Sequence, residues 1–107
     1  MYKYPDCLKE ALQKEFPIQC SYHRYIIRDG QIIIRNDFLN RIETLNPTAS
    51  QIFIMCNGLF SVIQILEYIA DISEEKNQYI SMTDTMKALR GMQRVGLIER
   101  KNNDSET

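Results

Sequence analysis

The chain has 107 residues, 44% apolar and 25% charged, with a formal net charge of −1 at pH 7. That length suits one domain around one modest core, and the near-neutral balance excludes bulk attraction to nucleic acid or an anionic membrane as the driver of binding. Cys7, Cys20 and Cys56 are widely spaced and form no Cys-x-x-Cys pair, which argues against a disulfide framework and against a zinc or iron–sulfur site. No cofactor is implied.

No apolar run approaches the roughly 18–20 residues that cross a bilayer. The opening Met-Tyr-Lys-Tyr-Pro-Asp leads into polar sequence without a signal-peptide apolar region, so a reducing cytoplasm is the expected compartment. Residues 5–16 read as a short helix: Pro5-Asp6 suits a helix start, and Leu8, Leu12 and Phe16 recur at i, i+4 and i+8. Pro17 is expected to stop it. Residues 1–17 are thus an N-terminal extension, residues 18–101 the domain, and residues 102–107 a polar tail.

Two strand-like runs, Tyr22–Arg28 and Gln31–Arg35, flank Asp29-Gly30, a pair suited to a type I′ hairpin turn. The register places Arg28 opposite Gln31, Ile27 opposite Ile32, Ile26 opposite Ile33, Tyr25 opposite Ile34 and Arg24 opposite Arg35. Tyr25, Ile27, Ile32 and Ile34 are then expected on the core face, with His23 packed on the same side. Like charges at Arg24 and Arg35 are unfavourable without a nearby acid, and Glu43 is the candidate. Asn36–Asn40 reads as an irregular link, and residues 41–45 as a third strand at the sheet edge.

Asn46 is a good helix cap, Pro47 fits the first helical position, and Ala49, Ile52, Phe53 and Cys56 make one apolar stripe. Gly58 is expected to close this helix in the left-handed conformation, and Cys56 to be a small core residue. Ser61 caps a second helix whose Val62, Ile65, Leu66 and Ile69 repeat the spacing to about Ile72. Ser73–Ile80 reads as a polar loop. A third helix is expected from Ser81 or Thr83 to about Val95, stopped by Gly96, with Leu97–Arg100 as a short strand. Met82, Met86, Leu89 and Gln93 share one of its faces, and Thr83, Lys87, Arg90 and Arg94 another. Charge is unevenly placed: residues 47–82 set Lys76 against Glu67, Asp71, Glu74 and Glu75, whereas residues 83–101 set Lys87, Arg90, Arg94, Arg100 and Lys101 against Asp84 and Glu99. The expected architecture is α+β: a three-stranded antiparallel sheet followed by a three-helix bundle, winged helix-turn-helix-like.

The run Leu45-Asn46-Pro47-Thr48-Ala49-x-x-Ile52, then Cys56-Asn57-Gly58, Ser61-Val62-x-x-Ile65 and Leu89-(x6)-Gly96-Leu97-Ile98 resembles the PqqD-like family of peptide-recognition domains. The resemblance spans residues 20–100; Asn57 stands where the family usually has Asp, and residues 1–17 have no counterpart in it. It implies a non-catalytic chaperone that captures the leader of a ribosomally made precursor peptide and presents it to a modifying enzyme, often a radical-SAM protein. In the family the leader adds as a strand to the third strand, beside the third helix. On this chain that implies contacts from Arg41, Ile42, Glu43, Thr44 and Leu45 and from Thr83, Met86, Lys87, Arg90 and Arg94, and it suits a peptide with acidic residues and spaced apolar anchors.

Blander uses of the same residues are weighed beside it. The basic stripe is more often simply a solvated face, Glu74-Glu75 reads as an exposed loop pair, and the strand edge could serve as a seam for residues 1–17 or a second copy of the chain. No nucleophile–base set or phosphate-binding loop is present. The alternatives are a winged-helix DNA-binding regulator using Lys87, Arg90 and Arg94, disfavoured by the long Ser73–Ile80 link and the slightly negative charge, and a dimerisation module.

Overall fold

The computed structural model describes residues 6–20, 24–37 and 39–102. In chain order they form α1 (Asp6–Gln13), β1 (Glu15–Gln19), β2 (Arg24–Arg28), β3 (Gln31–Asn36), β4 (Arg41–Thr44), α2 (Pro47–Met55), α3 (Val62–Ile72), α4 (Gln78–Arg94) and β5 (Ile98–Asn102). The fold is α+β, with a three-stranded antiparallel sheet ordered β2-β3-β4 and a two-stranded sheet β1-β5. Among the described residues no helix is long and apolar enough to cross a membrane.

The hairpin follows from its turn. Asp29 and Gly30 both take positive φ, 54° and 77°, as a type I′ turn requires, and the ladder has the expected register from Arg24↔Arg35 to Arg28↔Gln31. Its burial does not follow the expected pattern. Ile32 and Ile34 are fully buried, but Ile27 is 59% and Tyr25 41% exposed, because the outer strand β2 overhangs the core. Tyr25 meets the Phe53 ring edge-on at 5.4 Å. Glu43 does not relieve the Arg24–Arg35 pair either. It pairs with Ile34 in the ladder and so lies on the opposite face, bonded to Arg41, while Arg35 takes Asp37 at 3.2 Å. His23 and the first residues of that expected strand lie outside the described residues.

Asn36 is the largest departure within this sheet. Expected in an irregular link, it is the buried last residue of β3. Its amide nitrogen donates to the Val95 carbonyl at 2.9 Å and to Glu43 at 3.2 Å, and its oxygen accepts the Leu39 N–H at 3.1 Å.

At the junction of β4 and α2, Asn46 accepts the Ala49 N–H at 2.7 Å and Pro47 opens the helix. Ile52, Phe53 and Cys56 of the expected stripe are buried and Ala49 is half-buried. The buried Ser50 hydroxyl accepts the Ile32 N–H at 2.8 Å and donates to the Leu45 carbonyl at 3.2 Å. It therefore continues the β3–β4 ladder through a side chain where the main chain turns away. Gly58 does have φ +82°, but α2 ends at Met55 with Cys56 as its cap. Gly58 instead donates its N–H to the Pro17 carbonyl at 3.0 Å, where an added Cβ would sit 3.2 Å from the Ile18 side chain.

Helix α3 carries the expected cap as a reciprocal box between Ser61 and Gln64, and Val62, Ile65, Leu66 and Ile69 are buried. Helix α4 begins earlier than expected, at Gln78. Asn77 receives the Ile80 N–H at 3.3 Å, and Ser81 is buried inside the helix. The connection is therefore Ser73–Asn77.

The helix expected over residues 5–16 forms over Asp6–Gln13, and the residues after it take another course. Helix α1 stops at Gln13, Leu12 is buried, and residues 15–19 are a strand paired with β5; the boundary expected after residue 17 falls inside β1. Pro17 is accommodated because alternate residues of β1 face β5. Cys20 N–H donates to the Leu97 carbonyl at 3.0 Å, which places the Pro17 nitrogen on the other side, where no ladder donor is needed.

Ser50→Ala leaves the Ile32 N–H without its partner and is expected to cost about 1–3 kcal/mol in urea denaturation. Burial pushes the Cys56 thiol up to about 12 from 9.0, so its contribution is intact below pH 9.0 and declines as pH rises toward 12. In a thiol titration at neutral pH the exposed Cys7 is expected to react at once, and the buried Cys20 and Cys56 only on unfolding.

Candidate functional site

Strand β4 pairs with β3 on one side and, among the described residues, with nothing on the other. Residues 15–19, one expected cover for this edge, pair with β5 instead. The Leu45 N–H donates to the Ile32 carbonyl at 2.8 Å, so by antiparallel alternation Arg41, Glu43 and Leu45 point their backbone groups at β3. The groups of Ile42 and Thr44 point outward. Side chains divide the other way: Ile42, 71% exposed, and Thr44 lie on the sheet's outer face, and Arg41, Glu43 and Leu45 on the side of the helices.

The structure separates the candidate residues of α4. Arg90 is committed to the buried Glu15 of β1: Nη2 donates to Oε1 at 3.1 Å and Nη1 to Oε2, with Gln93 accepting from Nη1 at 3.0 Å. The hydrogen bonds it donates to Glu15 hold the Arg90 guanidinium above its ordinary pKa. Met86 packs half-buried against the core, Thr83 is half-buried, and Lys87 and Arg94 are exposed. By helical spacing Thr83, Lys87, Arg90 and Arg94 do share a face, but Arg90 shows that it turns toward β1 and solvent rather than toward β4.

A different face of α4 runs beside the edge. Val95 receives Asn36, which also binds Glu43, and so lies next to the start of β4. Ala88 lines a cleft together with Asn46 and Pro47, which follow the end of β4. Ala88, Gly91 and Val95 lie at i, i+3 and i+7, and a Cβ added at Gly91 would meet nothing within 4 Å. Ala88 and Val95 pack partly buried against the core, so along this face only Gly91 leaves space beside its backbone.

The cleft at the Asn46 end has a volume of about 720 Å³ and lies between the start of α2, the end of α3 and the first half of α4. Ile52, Ile69 and Ala88 line it with Glu74, Glu75 and Asp84. From sequence, Glu74-Glu75 reads as an exposed loop pair and the cleft is not foreseen, since its walls come from three elements that only the fold brings together. Among the described residues no cluster of His, Cys, Asp and Glu is placed to hold a metal ion. No protein-family model, no curated protein and no solved structure matches the chain.

The Glu15–Arg90 pair sets a measurable expectation. Arg90→Ala removes both guanidinium hydrogen bonds from the buried Glu15 carboxylate and leaves it Arg100, at 3.9 Å, as its remaining cation; removal of one partner of a fully buried pair costs about 3–5 kcal/mol. Arg90 keeps a third of its side chain exposed, which moves the expected loss to about 2–3 kcal/mol. Chemical denaturation should show that loss, with partial recovery when Glu15→Gln is added to remove the buried charge.

Proposed function

We propose that the chain is a non-catalytic peptide-binding chaperone of PqqD-like type, winged helix-turn-helix-like in arrangement. It captures the leader of a precursor peptide as a fourth strand on β4 and presents it to a modifying enzyme, possible radical-SAM proteins among them. The observation that carries this reading is the β4 edge, unpaired among the described residues, with Ile42 and Thr44 directed outward beside a face of α4 that is small at Ala88 and leaves space at Gly91. An added strand there gains main-chain hydrogen bonds of about 0.5–1.5 kcal/mol net each, and its alternate side chains meet two different surfaces, which supplies selectivity.

The geometry revises which peptide fits. The cationic stripe loses Arg90 to Glu15, and the cleft beyond the edge is rimmed by Glu74, Glu75 and Asp84. A leader that is acidic throughout does not suit that end; one with apolar residues on the α4 side and no acid near the cleft does. For the DNA-binding alternative, the short Ser73–Asn77 connection is more compatible with a helix-turn-helix than the loop expected from sequence. The cost to that reading is Arg90, which leaves Lys87 and Arg94 as exposed cations on that face of α4.

The test is titration of a fluorescent leader peptide taken from a small precursor gene adjacent to this one. Binding at tens of micromolar or tighter is expected, and Thr44→Pro should weaken it at least tenfold with little change in the melting curve, because the lost N–H faces the open edge. Glu43→Pro is not an equivalent variant, since its N–H faces β3. Salt-sensitive binding to duplex DNA without peptide binding would overturn the proposal.

A further inference from the structure

The outer face of the β2-β3-β4 sheet is made of two chemistries in rows. Across the ladders, Arg24, Arg35 and Ile42 form one row, Ile26, Ile33 and Thr44 the next, and Arg28 and Gln31 the last. Ile26 is 55% and Ile42 71% exposed, and no described element packs over this side; the core lies on the other face, under Ile32 and Ile34. Two costs are therefore held in one place. Apolar side chains stand in water, and like charges at Arg24 and Arg35 face each other across the ladder. Asp37 pairs with Arg35, whereas among the described residues Arg24 and Arg28 have no ion-pair partner.

We infer that this face docks a partner protein whose contact surface is acidic around an apolar centre. Such a surface removes both costs, covering the isoleucines and supplying carboxylates to Arg24 and Arg28, with Arg guanidinium well suited to paired carboxylate contacts. Nucleic acid fits poorly, because the centre of the face offers isoleucine and threonine where phosphates would lie. A second copy docked face to face would bring two sets of arginines together. On the peptide-binding reading above, a strand added to β4 extends this same face and places alternate side chains beside Ile42 and Thr44. The docked partner would then touch chaperone and peptide at once, which deepens that reading without being required by it.

The probe is a fluorescent decapeptide of alternating Leu and Glu, with alternating Leu and Lys as its counterpart, titrated by anisotropy at low and high salt. The Leu-Glu peptide is expected to bind, the Leu-Lys peptide at least about tenfold more weakly. Arg24→Glu with Arg28→Glu should weaken Leu-Glu binding at least tenfold, and Ile26→Ser should weaken it independently. All the substituted side chains are exposed, and circular dichroism checks that each variant folds. Absence of Leu-Glu binding, equal binding of both peptides, or a change within twofold in the arginine variant overturns the inference. Binding lost in Thr44→Pro but kept in the arginine variant places the peptide on the β4 edge, which sinks this inference and leaves the previous one standing. Co-sedimentation with phosphatidylserine vesicles in the absence of Leu-Glu binding, or a concentration-dependent dimer abolished by Ile26→Ser, assigns the face to a membrane or to a second copy and equally overturns it.

Discussion

The hydroxyl of Ser50 connects the two halves of this molecule. A strand that ends by turning into a helix normally breaks its ladder at the turn, leaving a donor on the neighbouring strand to find another acceptor. Here the donor is the Ile32 N–H, in the most deeply buried part of β3, where no water can serve it. Ser50 sits one turn into α2, accepts that N–H, and donates its own O–H to the Leu45 carbonyl. The helix is thereby fixed against the sheet at a polar point inside an otherwise apolar contact. Because Leu45 follows β4 directly, the same bond fixes the position of the free edge.

Two further polar ties decide which faces of α4 are available. Asn36 secures the end of α4 to β3 and β4 through the Val95 carbonyl. Arg90 secures its middle to β1 through Glu15. With the helix held at both points it cannot rotate to turn its cations toward β4, and the strip it offers there contains Ala88 and Gly91. The part Arg90 plays is thus set by a bond to β1 that a charge pattern read along the helix does not reveal.

What the sequence made legible was local. Asp29-Gly30 determines its turn through two positive φ angles, and the hairpin register follows from turn length alone. Asn46-Pro47 and Ser61-x-x-Gln64 satisfy helix ends from within four residues, so both helix starts were readable. The failures share the opposite property. Pro17 reads as a stop unless its strand partner, Arg100, is known, because only the pairing shows that its nitrogen faces away from the ladder. Asn36 looks like a turn former until Val95 and Glu43 are brought to it. Tyr25 and Ile27 alternate as core residues should, yet a period of two says which face a side chain occupies and not whether anything lies over it. Arg90 looked free because Glu15 is 75 positions away. In the candidate site, the edge strand was foreseeable from a three-strand meander, while the identity of the α4 residues beside it required the helix rotation.

The pairing of β1 with β5 bears on the order in which the molecule assembles. Glu15 and Arg90 are separated by 75 positions, and bringing such distant segments together costs on the order of 4 kcal/mol of chain entropy when nothing between them is yet ordered. That cost falls once β2 to α4 have condensed, since the intervening chain is then short in space. The seam is therefore favoured as the final closure during folding. By the same reasoning it is a natural early point of opening in the native state, a reversible clasp whose release leaves the Ser50-anchored sheet and its free edge assembled.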